Sequence, residues 1–122
     1  QFGRSSLWDI APRKREFAFE EPGQNWTPTV AVTPDGKVGI TGGSYGGYMT
    51  LIALAKTPDE FAAGAQLFGI INWFSMYETS DALLRQYLIS LLGDPVKDRK
   101  VYESNSPITY IRNIKAPLLS LQ

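Results

Sequence analysis

The sequence contains no histidine and no cysteine. Without cysteine there is neither a disulfide nor a thiolate metal site, and cysteine usage leaves the compartment open. Charge of one sign is missing too. Twelve Lys and Arg residues cancel twelve Asp and Glu residues, so nothing points to a nucleic acid or another polyanion as a partner. No apolar run approaches the length of a membrane span, so no membrane partner is expected. Gln1-Phe2-Gly3-Arg4 has no apolar signal core, which leans toward a cytoplasmic location unless a leader has been lost from a fragment. There is no initiating methionine, no repeat and no low-complexity tract. What is present is ordinary for a globular protein: 122 residues, 43% hydrophobic and 20% charged, enough for one small domain.

The most informative stretch is Val38-Gly39-Ile40-Thr41-Gly42-Gly43-Ser44-Tyr45-Gly46-Gly47-Tyr48-Met49. A short β-type apolar run meets glycines around one serine, and an apolar helical run from Tyr48 to Ala55 follows at once. Strand, sharp turn and helix with Gly42-x-Ser44-x-Gly46 at the turn resemble the nucleophile elbow of α/β-hydrolases. The spacing has a steric cause. Strand and helix pass so closely that the residues two before and two after the serine must lack bulk. Gly42 and Gly46 meet that demand, Gly47 adds clearance, and glycine tolerates φ values that a Cβ forbids. The start of the helix presents N–H groups and a positive dipole end to any oxyanion formed beside Ser44. The backbone N–H of Tyr45 is the candidate oxyanion donor. The bland alternative is a glycine-rich, phosphate-binding turn. No Gly-Lys-Ser/Thr follows, as a Walker turn requires, and the glycine spacing is wrong for a dinucleotide turn.

Gly42 to Met49 resembles the nucleophile segment of the prolyl oligopeptidase family of serine peptidases, which includes dipeptidyl peptidases and acylaminoacyl peptidases. The likeness continues through Leu92-Gly93-Asp94-Pro95, Ser106-Pro107 and Ile114-Lys115-Ala116-Pro117-Leu118-Leu119. It covers about the last two thirds of the chain, as motifs in context. The resemblance implies a partial α/β-hydrolase fold, an α/β arrangement of parallel strands with packed helices around the elbow. It makes Ser44 the acylated nucleophile, peptides the substrate and any cofactor unnecessary. A serine hydroxyl needs a base. In hydrolase order the Asp and His of the triad follow the nucleophile, and the resemblance puts both past Gln122. The chain is therefore expected to be part of a larger catalytic domain, joined in the parent protein to a β-propeller, and inactive alone. Two readings compete. A carboxylesterase would share the elbow, and a scaffold fragment would keep the fold without the chemistry. A Ser–Lys mechanism would have to use Lys37 or Lys56, the nearby lysines in sequence.

The N-terminal segment, residues 1–33, departs from the family pattern, and residues 34–122 form the family-like core of a single partial domain. Pro12, Pro22, Pro28 and Pro34 exclude the long amphipathic helix expected before the nucleophile strand. The upstream His-Gly-Gly-like loop is missing, so the second oxyanion donor is unassigned. Leu7-Trp8-Asp9-Ile10 reads as a short strand or one helical turn, and Arg13-Lys14-Arg15 with Glu16, Glu20 and Glu21 as a solvated charged surface. Glu21–Asn25 and Thr33–Gly36 read as turns, with a weak strand from Trp26 to Val32 between them. Val38–Thr41, Ala62–Phe68 and Pro117–Leu121 read as parallel strands, the first two joined by the elbow helix in a right-handed βαβ unit. Trp73 and Phe74 follow the second strand at the sheet edge where ligands bind. They are candidates equally for a substrate pocket and for the core. Asp81 caps a helix with Leu83, Leu84, Tyr87, Leu88, Leu91 and Leu92 at helical spacing, ended by Gly93. Asp98 and Ser106-Pro107 are read as starts of two further helices. Three parallel strands leave open edges, so the isolated chain is expected to be marginal or to associate.

Overall fold

The computed structural model describes the strands Phe2–Trp8 and Arg15–Pro22 and every residue from Pro28 to Gln122. Residues 1, 9–14 and 23–27 lie outside the described residues. With them lie Asp9, Ile10, Arg13, Lys14, the Gly23–Asn25 part of the first turn and Trp26, as does the exposure of side chains 1–27. Strands β1 (Phe2–Trp8) and β2 (Arg15–Pro22) pair antiparallel in a two-stranded sheet, with Leu7 opposite Phe17. Leu7 and Trp8 are thus in a strand and not a helical turn.

The main sheet has the order β3-β4-β5-β6. Strand β3 (Thr29–Val32) runs antiparallel to β4 (Val38–Gly43), with Val32 opposite Val38. Strands β4, β5 (Ala63–Leu67) and β6 (Leu118–Leu121) run parallel. The sheet is therefore mixed. The reason is local: the turn between β3 and β4 is too short for the crossover that a parallel pair needs. It closes with the Gly36 N–H donating to the Thr33 carbonyl at 2.9 Å and the Lys37 N–H to Thr33 Oγ1 at 3.0 Å. Gly36 has φ +80°, a conformation that glycine adopts without strain.

Between β4 and β5 runs helix α1 (Tyr45–Lys56), starting three residues earlier than the apolar pattern alone requires. Gly46 and Gly47 lie in its first turn despite the poor helix propensity of glycine, and at Gly47 a Cβ would run into the backbone of Gly69 and Leu67. Every residue of α1 from Gly46 to Ala55 is buried. One side packs on the sheet through Ala53 and Leu54 against Ile40 and Phe61. The other meets α2 (Trp73–Thr79), α3 (Ala82–Leu92) and α4 (Arg99–Asn105) in a cluster of Tyr48, Met49, Ile52, Trp73, Leu88, Leu92 and Tyr102. A helix apolar on nearly every side is thus sandwiched between two layers. No helix among the described residues is long and apolar enough to cross a membrane.

Caps fix the ends of the outer helices. The Asp81 carboxylate accepts the Leu84 N–H at 2.8 Å, and Gly93 ends α3 at φ +85°. Asn72 caps α2 by accepting the Phe74 N–H at 3.0 Å. Asp98 does not cap α4 with its side chain. Its carboxylate folds back on the preceding turn and accepts the Asp94 N–H at 2.8 Å. Ser106-Pro107 opens only two 3-10 turns, Pro107–Thr109 and Ile111–Asn113. Ser106 is instead a core tie: its hydroxyl accepts the Trp73 N–H at 3.0 Å and donates to the Tyr102 carbonyl at 2.7 Å.

Tyr102 is buried, and its phenol donates to the Gly93 carbonyl at 3.0 Å. Burial first, then the neighbouring Tyr77, Asp94 and Asp98, push its pKa above the ordinary 10.0.

Two outcomes follow. Ser106→Ala leaves the Trp73 N–H buried without its acceptor and is expected to cost about 1–3 kcal/mol in urea unfolding. A raised phenol pKa means that stability present below about pH 10 is lost as pH rises through the folded value. The loss of stability between about pH 9 and about pH 11 is therefore expected to be smaller in Tyr102→Phe than in the wild type.

Candidate active site

Ser44 stands where β4 ends and α1 begins. Its backbone has φ 55° and ψ −119°, a sparsely populated region that costs an L-residue on the order of 1–3 kcal/mol. Two hydrogen bonds hold it there. The Ser44 N–H donates to the Leu67 carbonyl of β5 at 2.8 Å, and the Ser44 carbonyl accepts the Tyr48 N–H at 3.1 Å. The side chain makes no capping bond to α1, and the residue is exposed. The strained bend thus lifts the hydroxyl to the surface at the carboxyl end of the parallel strands.

The close crossing expected from the glycine spacing is present. A Cβ built on Gly42 falls on the carbonyl group of Gly46 and 2.9 Å from its Cα. A Cβ on Gly47 lies 2.8 Å from the Gly69 Cα and 3.0 Å from the Leu67 oxygen. Those obstacles are backbone, which cannot step aside. Tyr45 is the first residue of α1, so its amide sits next to Ser44 at the positive end of the helix. Its ring packs 5.1 Å from that of Tyr48 and 6.3 Å from that of Trp73.

Ser44 opens into a cleft of about 400 Å³. One wall is the segment leaving β5, with Phe68, Gly69, Ile70 and Ile71. The other is the face of α2 that carries Ser75, Met76 and Thr79, and Gln122 reaches the cleft from the end of β6. No charged side chain is among its described lining residues. Phe68 is 65% exposed and has φ 53°, the other positive-φ non-glycine residue of the described chain.

Trp73 and Phe74 do not line this cleft. Trp73 is 1% exposed, donates its indole N–H to the Asn105 carbonyl at 3.0 Å and packs 5.1 Å from Tyr48. Phe74 packs 5.2 Å from Tyr102 beneath the Arg99 guanidinium. Of the two readings open in the sequence, both aromatics take the core one, because the Asn72 cap starts a helix there and turns them inward. That cap was the readable signal for α2. Phe68 and Met76 carried no such signal, since an exposed aromatic after a strand and a methionine in an apolar stretch are both ordinary. The lysines are remote from the serine. Lys37 precedes β4 and pairs with Asp35 at 3.3 Å, while Lys56 ends α1 over the Tyr110 ring at 5.3 Å. A strand or helix of those lengths spans about 20 Å, so neither lysine reaches Ser44 along its element.

An exposed serine in a strained bend between a parallel strand and a buried helix defines the nucleophile elbow, and the protein has a partial α/β-hydrolase fold. Residues 29–122 match the prolyl oligopeptidase family, and the chain belongs to that family. It is 39% identical to dipeptidyl aminopeptidase BIII of Pseudoxanthomonas mexicana over 77% of its own length, and 34% identical to dipeptidyl peptidase family member 6 of Caenorhabditis elegans over its whole length. It spans 14% and 16% of those relatives. A solved acylaminoacyl peptidase in complex with Z-Gly-Gly-Phe-chloromethyl ketone superimposes with a TM-score of 0.58 at 43% identity, over 67% of this chain and 13% of that one.

Backbone strain at the elbow yields a stability test. Ser44→Gly removes the penalty on a side chain at positive φ, while Ser44→Ala keeps it. The glycine variant is expected to be the more stable by about 1 kcal/mol in urea unfolding, after its greater unfolded-state freedom is counted. The reverse order would contradict a strained elbow.

Proposed function

We propose that the protein of which this sequence is a part is a serine peptidase and that Ser44 is its acylated nucleophile. The observation that carries this reading is the strained, exposed Ser44 at the mouth of a cleft. Ser44 Oγ attacks the carbonyl carbon of the scissile bond, and a base takes its proton. The Tyr45 N–H stabilises the negative charge on the carbonyl oxygen. The tetrahedral intermediate collapses, the amine leaves with a proton, and water releases the acyl group by the same route. The base is a histidine outside these 122 residues, which contain none, so residues 1–122 alone are inactive. The names of the relatives favour peptides from which an N-terminal dipeptide or acylated amino acid is released. The remainder of the catalytic domain and a β-propeller complete the protein in this reading.

The test is labelling by a fluorophosphonate together with turnover of matched dipeptidyl amides and aryl esters by the full-length protein. The expected result is label on Ser44 and hydrolysis of the amides, with kcat/KM reduced on the order of 10⁵-fold in Ser44→Ala. Hydrolysis of esters alone would make the protein a carboxylesterase on the same elbow. Labelling of the isolated 122 residues as strong as that of the full protein would overturn the assignment of the base to another segment.

A further inference from the structure

Gln66 is the polar exception in strand β5, Ala63-Gly64-Ala65-Gln66-Leu67, and it is 0% exposed. A buried carboxamide is costly unless both its ends are bonded. Both are. Its Oε1 accepts the Gly69 N–H at 2.7 Å, and its Nε2 donates to Ser120 Oγ on the neighbouring strand β6. The bond to Gly69 spans the bend at Phe68, whose φ is 53°. Such a bend persists only where its surroundings over-determine it.

This bend supports the elbow from below. The residue before it, Leu67, gives its carbonyl to the Ser44 N–H at 2.8 Å. The residue after it, Gly69, lies against the first turn of α1. A Cβ there would come 2.7 Å from the Gly47 carbonyl carbon and 2.9 Å from the Tyr48 nitrogen. The same bend carries Phe68 into the cleft. We infer that Gln66 is a positioning residue: its carboxamide clamps the Leu67–Gly69 bend to β6 and so fixes the orientation of Ser44 and the Phe68 wall of its cleft. The inference rests on Ser44 being the nucleophile. It adds a second path of constraint, through β5 and β6, to the glycine crossing with α1.

The experiment compares wild type, Gln66→Met and Gln66→Glu in the full-length protein. It reads the second-order rate of fluorophosphonate labelling at Ser44, kcat and KM on one amide substrate, and exchange of the Gly69 amide proton. Methionine keeps the length and removes both bonds. Gln66→Met is expected to slow labelling about tenfold and to lower kcat more than it raises KM, since misplacing reacting atoms by about an ångström costs up to 10² in rate. The Gly69 amide is expected to exchange faster. Glutamate keeps the acceptor for Gly69 and can accept from the Ser120 hydroxyl but places a carboxyl group in a buried site, so it is expected to recover only part of the labelling rate lost in Gln66→Met. Should Gln66→Met not fold, Ser120→Ala opens the clamp from its other end and is expected to give a smaller loss in the same direction. A labelling rate and Gly69 exchange unchanged in Gln66→Met, or in Ser120→Ala where that variant stands in, would overturn the clamp while leaving the nucleophile in place. A wild-type protein that does not label at Ser44 would overturn the peptidase reading and the clamp with it.

Discussion

The structure depends on one steric fact: where β4 crosses the start of α1 there is no room for a side chain on Gly42. The contact is backbone on backbone, so no rotamer change can relieve an intruding methyl. Because the chains meet at that distance, the bend between them must be tight, and the residue at its apex is driven to positive φ. Ser44 occupies that apex and cannot relax, since β5 holds its N–H and α1 holds its carbonyl. Exposure of the hydroxyl is a result of the crossing and needs no separate device. The same closeness recurs one layer on, where Gly47 and Gly69 meet, so the elbow is supported from two directions.

Strain of this kind persists only in a stiff surrounding. The stiffness comes from α1, buried along ten consecutive residues between the sheet and the α2–α4 layer. Side chains of the outer layer are tied as well as packed: Ser106 bridges Trp73 and Tyr102, and Tyr102 reaches Gly93. The strained bend at the surface thus rests on polar contacts well away from it.

Much of this was legible in the sequence, and the reasons for the rest are specific. Glycines at fixed offsets from Ser44 announce the elbow because sterics leave no other residue there. The parallel strands are short apolar runs with punctuation on both sides. The antiparallel pairing of β3 was only weakly marked, since Thr29–Val32 alternates poorly and Val32 is 45% exposed. The start of α1 beside Ser44 was legible from the elbow pattern, although glycine is a poor helix former. Trp73 and Phe74 were ambiguous because large aromatics serve pockets and cores alike; only the side on which helix α2 presents them decides. Asp98 and Ser106 carry capping chemistry, but the preceding turn claims the Asp98 carboxylate and the backbone of Trp73 the Ser106 hydroxyl. The cleft walls at Phe68 and Met76 were not legible, since they arise from a bend and a helix face that no local pattern marks.

The double burial of α1 also bears on how the chain acquires its structure. The sheet-side cluster and the outer-helix cluster share this one element, and neither can be completed while it is undocked. The two halves of the interior therefore form a single cooperative unit. Amide protons along the middle of α1 are therefore expected to reach solvent only when the sheet and the outer helices part, and the residues that follow Ser44 belong to the last part to let go.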